Sequence, residues 1–183
     1  MGYEVALNKA WEDLANLNAG NALSIKFLAD TYQLDLREKK ALSLSCNVAA
    51  KDFTAILILH YAAQKLKGLP DVRGEWLSFK EVSQVEGYLP AFKKRAISPL
   101  LRKYGSKPEG IITAAQRIPL KRVDQGDVGI VLEAFEKVPV LITLWRGDDE
   151  FGPEANMLFD KNITRIFCAE DIVVLAGIIA ASV

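Results

Sequence analysis

The chain has a single histidine, His60, and only two cysteines, Cys46 and Cys168. The cysteines lie far apart and neither belongs to a C-x-x-C pair. That argues against a zinc site built from the protein alone or a chain-held iron–sulfur cluster. No C-x-x-C-H precedes His60, which excludes covalent c-type haem attachment as a motif. With one histidine and no cysteine beside a matching base, nucleophilic triads have little support, and no G-x-S-x-G elbow is present. Gly105-Ser106-Lys107 lacks a Walker pattern, and Gly126 and Gly129 form no dinucleotide fingerprint. Net charge is lacking too: 23 basic residues balance 23 acidic ones. Nothing draws the whole chain toward nucleic acid or an anionic membrane, so a nucleic-acid partner is not expected. The longest apolar runs, "FTAILILHYAA" and "IVVLAGIIAASV", fall short of the roughly 20 residues a membrane span needs. No basic segment followed by an apolar one opens the chain, so a cytoplasmic protein with reduced thiols is expected.

What is present is apolar patterning: half of the 183 residues are hydrophobic. That is enough for one sizeable core, and a single domain over 1–183 is expected. "YEVALNKAWEDLANL" places Val5, Leu7, Ala10, Trp11, Leu14 and Leu17 on one helical face, with "NAG" and Gly20 closing the helix. "LSIKFLADTYQLDL" alternates on both sides of an Ala-Asp pair, which predicts two antiparallel strands. Leu42, Leu44 and Cys46 continue the alternation into a third. "AAKDFTAILILHYAAQKLKG" predicts a helix capped by Asp52 and closed by Gly68. Its centre is apolar almost all round, so it is expected to be deeply buried. "GEWLSFKEV" reads as a short extended piece delivering Trp76 and Phe79. "YLPAFKKRAISPLLRKYG" reads as a helix interrupted or kinked by Pro90 and Pro99. Periodicity is weak over 106–127, with a short helix expected near 111–116. "GIVLEAFEKVP" predicts a helix ended by Pro139, "VPVLITLW" a buried strand, "NMLFD" its hairpin partner and "ITRIF" an extension of that sheet. "AEDIVVLAGIIAASV" predicts an Asp-capped C-terminal helix. The mixed order points to an α+β fold: mostly antiparallel sheet covered by helices, including a buried central helix and the C-terminal helix.

Charge is unevenly distributed. Residues 88–122 carry nine Lys and Arg residues against Glu109 alone, interleaved with Tyr88, Phe92 and Tyr104. This stretch could bind a phosphate or carboxylate, or could form a solvated helix face. From Val123 onward, eleven acids outnumber Lys137, Arg146, Lys161 and Arg165.

The ordered segments "ILILHYAAQKLKG", "GEWLSFKEV", "YLPAFKKR", "GDVGIVLEAF", "VPVLITLWRGDDEFGPEANMLFD" and "AEDIVVLAGII" together resemble an uncharacterised domain family of anaerobic bacteria and archaea, domain of unknown function 3786. Some relatives look fused to a small four-cysteine iron–sulfur domain of the type found in corrinoid methyl-carrier proteins. The resemblance therefore implies a setting in anaerobic corrinoid or one-carbon metabolism. It supplies no catalytic residues, and this chain lacks the cysteine-rich extension.

Two places could carry chemistry. His60, on the apolar helix, could be an axial ligand to a corrinoid or haem or a proton donor, or a buried histidine held by a neighbouring acceptor. Tyr61 completes a His-Tyr pair that resembles the family's. In "LWRGDDEF", Trp145, Arg146 and Phe151 could stack on a flat ligand. Asp148, Asp149 and Glu150 could hold a divalent cation, although three consecutive acids on a strand do not all converge. Arg146 paired with a nearby acid in a rigid turn is the simpler use. The leading expectation is an accessory domain that binds a small-molecule ligand or a protein partner, with His60 and Tyr61 inside a pocket and Trp145 to Phe151 at its rim. The rivals are a divalent-cation enzyme using 148–150 and an interaction module docking through its last helix.

Overall fold

The computed structural model describes residues 2–17 and 20–183. The fold is α+β, with two antiparallel sheets and helices. The chain divides into two compact units, Met1–Pro70 and Asp71–Val183.

The first unit opens with helix α1 (Glu4–Ala15), whose Ala10, Trp11 and Leu14 are buried. Val5, expected on the same face, is 83% exposed, because it lies in the first turn beyond the buried stretch. Asn18 and Ala19 of the expected "NAG" stop lie outside the described residues, while Gly20 takes the left-handed conformation (φ +76°). A meander follows: β1 (Ala22–Phe27), β2 (Asp30–Asp35) and β3 (Lys40–Ser43), in that spatial order. Its third strand turns its face opposite to the expected one. Ala41 and Ser43 are buried, whereas Leu44 is 55% exposed and Cys46 is exposed. The reversal follows from register: Leu34 pairs with Ala41 and Tyr32 with Ser43, so the buried face of β2 selects the small residues.

Helix α2 (Asp52–Lys67) packs beside α1 and against β1. It is buried continuously from Thr54 to Leu59 and again from Tyr61 to Ala63, as its all-round apolar centre requires. Lys51, in extended conformation, is the capping residue, and Asp52 is the first residue inside the helix. Asp52 therefore acts on the helix dipole and does not cap an N–H with its side chain. Gly68 ends the helix at φ +99°.

The second unit is built on a five-stranded antiparallel sheet. Its strands are β4 (Trp76–Ser78), β5 (Leu120–Val123), β6 (Val128–Phe135), β7 (Val138–Trp145) and β8 (Glu154–Asp160), in spatial order β4-β8-β7-β6-β5. The stretch expected as a helix, "GIVLEAFEKVP", is β6 plus the turn into β7. Val128, Ile130, Leu132 and Ala134 alternate inward, and Ile130 pairs with Ile142 and Leu132 with Val140. Pro139 ends no helix; it lies within β7 opposite Glu133, beside a bulge between Glu133 and Phe135. β5 was not anticipated. It is short, at the sheet edge, and its Lys121 and Arg122 are exposed.

A helical run packs on β8 of this sheet, and helix α6 (Ala169–Ser182) packs on that run. The run is continuous from α3 (Leu89–Phe92) through a π-helical turn (Lys93–Ile97) into α4 (Ser98–Tyr104). Pro90 sits in the first turn, where its missing N–H costs nothing. Pro99 would lose an i−4 bond in a regular helix, and the wide turn before it absorbs that cost without a break. Phe79 stacks on Phe92 with centroids 4.4 Å apart, and Phe92 meets Phe159 of β8 edge-on at 6.2 Å. A short helix α5 (Gly110–Ala114) follows, close to where one was expected. "ITRIF" does not extend the sheet. The Asp160 carboxylate accepts the Asn162 N–H, which turns the chain at the end of β8 into a 3-10 helix over Lys161–Arg165. Cys168 is the capping residue of α6, and its thiol lies 3.3 Å from the Asp171 carboxylate inside the first turn. At the other end of α6, Lys103 Nζ donates to the carbonyls of Ala180 and Val183 at 3.0 and 2.6 Å.

Candidate functional site

The turn from Arg146 to Pro153 holds most of the residues singled out from sequence. Arg146 donates from Nη2 to Glu109 at 2.6 Å, and its backbone N–H donates to Asp127 at 2.7 Å. The expected pinning by Arg146 therefore runs to Glu109, the one acid of the basic stretch, and not to the acids beside it. Asp148 Oδ1 accepts the N–H groups of Glu150 (2.9 Å) and Phe151 (2.7 Å), while the Asp148 N–H returns to the Phe151 carbonyl at 2.8 Å. The Phe151 and Glu150 N–H bonds hold the Asp148 carboxyl below its ordinary range. Gly147 is required by close packing: a Cβ there would lie 2.9 Å from Pro153. Trp145 is half-buried at the end of β7, and Phe151 is 70% exposed at the tip. Asp149 and Glu150 are exposed. No group of three or more His, Cys, Asp and Glu side chains is placed to hold a metal ion among the described residues.

His60 and Tyr61 belong to the first unit. His60 is half-buried on α2, between fully buried Leu59 and Tyr61. In the same unit a polar network joins β2 to the end of β3. Asp30 accepts the Ser43 and Ser45 hydroxyls at 2.5 and 2.6 Å, and the Cys46 thiol lies 3.1 Å from Ser43 Oγ. Burial pulls the Asp30 carboxyl upward, but the bonds from Ser43, Ser45 and Thr31 outweigh it and hold it below the usual range.

The second unit also carries an open groove of about 560 Å³ that the sequence did not suggest. Leu77, Val82 and Phe167 supply apolar lining, and Gln84, Lys161 and Cys168 supply polar groups. Three segments build it: the loop after β4, the 3-10 helix 161–165, and the start of α6. Gln84 is held at φ +60°, a left-handed conformation uncommon for a residue other than glycine. Burial raises the Cys168 thiol above its usual range, and the Asp171 carboxylate adds to that shift. A second cavity, of about 350 Å³, adjoins the first through Lys161 and Thr164 and is also lined by Arg73, Glu75, Asn162 and Arg165. Neither cavity includes any residue from 145 to 151. The basic residues of 88–122 are exposed, and Lys103 is spent on α6.

Fold and cavity together define a class: an antiparallel α+β protein whose second unit is hollowed at the start of its last helix. The chain belongs to the family described as a domain of unknown function, DUF3786, whose model matches residues 10–182. No curated protein and no solved structure matches it. None of the described helices is long and apolar enough to cross a membrane.

Proposed function

We propose that the chain is a ligand-binding accessory domain whose small-molecule site is the groove at the start of α6. The observation that carries this reading is the groove itself. Its volume, about 560 Å³, falls within the roughly 300–1,000 Å³ of ordinary ligand sites. Its lining sets Leu77, Val82 and Phe167 against polar and charged side chains that include Glu81, Lys161 and Glu170, which suits a ligand that is itself polar on one side. Gln84 adds support, since strained backbone collects where a ligand must be met. The setting suggested by the family resemblance is anaerobic corrinoid or one-carbon metabolism, with a metabolite or cofactor fragment of that chemistry as ligand.

The test is native mass spectrometry of protein purified without oxygen, comparing the parent with Ser83→Trp, which fills the groove from an exposed lining position. A small molecule retained by the parent and lost from the variant is the expected result. If the parent retains nothing and neither aquocobalamin nor a panel of one-carbon metabolites shifts its melting temperature, the reading fails. If His60→Ala abolishes binding while Ser83→Trp does not, the site lies on α2 and the groove assignment is wrong.

A further inference from the structure

We infer that the smaller cavity, walled by Arg73, Lys161, Thr164 and Arg165, is an anion subsite that takes a phosphoryl group. Its charges are unevenly matched. Lys161 Nζ is paired with Glu75 at 2.9 Å, but neither the Arg73 nor the Arg165 guanidinium makes a hydrogen bond or ion pair to a carboxylate among the described residues. The cavity wall therefore holds three cations against Glu75. Two other cations of this unit are committed to carboxylates, Lys137 to Asp71 at 2.7 Å and Arg146 to Glu109 at 2.6 Å. Two arginines on the wall of one cavity suit the tetrahedral, multi-oxygen surface of a phosphate better than a single carboxylate.

The wall is also fixed in advance. Asp160, 1% exposed, accepts the N–H groups of Arg73 (3.0 Å), Gly74 (2.7 Å) and Asn162 (3.0 Å). One buried carboxylate thus ties together the two chain segments that carry the arginines, and its own charge is taken up by those three donors. The Lys161 N–H reaches the Glu75 carbonyl at 2.9 Å and closes the same frame. Preorganisation of this kind reduces the ordering cost of binding. Lys161 and Thr164 border both cavities, so a phosphate here would be continuous with a body in the groove. Only that continuity rests on the groove being a ligand site; the anion subsite stands on its own charges.

The experiment is calorimetric titration of the intact chain with inorganic phosphate, with circular dichroism confirming that each variant folds. Arg73→Gln and Arg165→Gln should each weaken binding about tenfold, the loss expected for a charge-assisted contact. Glu75→Gln, which frees Lys161, should tighten it. No binding by the parent, or binding unchanged in both arginine variants, overturns the proposal. Phosphorus NMR of material released from the native protein separates two sources: an organophosphate means the phosphate belongs to the groove ligand, and inorganic phosphate alone means a free anion. Ser83→Trp should leave inorganic phosphate binding intact, so the groove reading can fail while this one stands.

Discussion

The turn at 146–153 and the cavity around Arg73 and Arg165 are both charged loops of the same unit, and they use their charge in opposite ways. In the turn, Arg146 is committed to Glu109, Asp127 to the Arg146 N–H, and Asp148 to two backbone donors. The charge of Arg146 and Asp148 is spent on the shape of the turn, while Asp149 and Glu150 are exposed. Beside the cavity, the buried Asp160 carboxylate is spent on the frame, and Arg73 and Arg165 on the wall make no ion pair among the described residues. The two loops therefore differ in how their charge is bonded: the turn through its neighbours in space, the cavity wall through a backbone frame.

The largest effect that would test this contrast comes from the frame. Asp160→Ala should cost about 3 kcal/mol of stability, because three N–H groups lose a charged acceptor in a buried position. Urea denaturation measures that cost, and phosphate titration should show the subsite lost with it. Gly147→Ala comes next. Its Cβ would lie 2.9 Å from Pro153, an overpacking expected to cost about 1–3 kcal/mol while leaving phosphate affinity at the parent value. If affinity falls as well, the two loops are not independent.

Ser43→Ala in the first unit removes a donor from Asp30 and should cost about 1 kcal/mol. Because the folded Asp30 carboxyl titrates below its ordinary value, the stability it contributes is present above the unfolded pKa and is lost as pH falls through the folded one. Ser43→Ala should therefore flatten the acid limb of the stability profile, with little change in shape near neutrality. The smallest effects belong to the charged turn. Asp148→Asn should lower the melting temperature only slightly, and added Mg²⁺ should move neither protein; a cation-dependent shift present in the parent and absent in the variant would make the turn a binding site after all.

β1 and β2 were legible because apolar and polar residues alternate along them, and β8 because a short apolar run follows a strand and a turn. β6 was misread for a physical reason. Val128 to Phe135 is buried nearly throughout, and Gly129 and Glu133 interrupt the apolar run, so the spacing also fits a helical face. β7 escaped the same error because its run of β-branched residues favours a strand. The 3-10 turn after β8 depends on the Asp160 side chain reaching Asn162, Arg73 and Gly74, the last two more than eighty residues away in sequence. No local pattern reports such a contact. The two cavities were invisible for a related reason: their walls come from residues 73–88 and 161–170, and neither segment carries a histidine or a metal-ligand spacing. Arg146 makes an ion pair at the turn, the simpler of its two expected uses, but the partner acid was not foreseen, since Glu109 lies 37 residues away.

The π-helical turn at 93–97 has a consequence for how the chain tolerates change in length. Phe92, Ala96, Leu100 and Tyr104 are the buried residues of that run, spaced at strict intervals of four. In an unbroken α-helix, side chains four apart slip by about 40° around the axis at each step, so four such residues would spiral off the core. A turn closed by i→i+5 bonds winds more slowly and takes back that slippage. Deleting one residue from 93–97 would restore ordinary winding and remove about 100° of the roughly 120° that three steps of four accumulate, so Leu100 and Tyr104 would stay close to their buried face. The wide turn thus acts as a phase correction that houses one extra residue, and a single deletion within 93–97 should be tolerated better than one in the regular turns on either side of it.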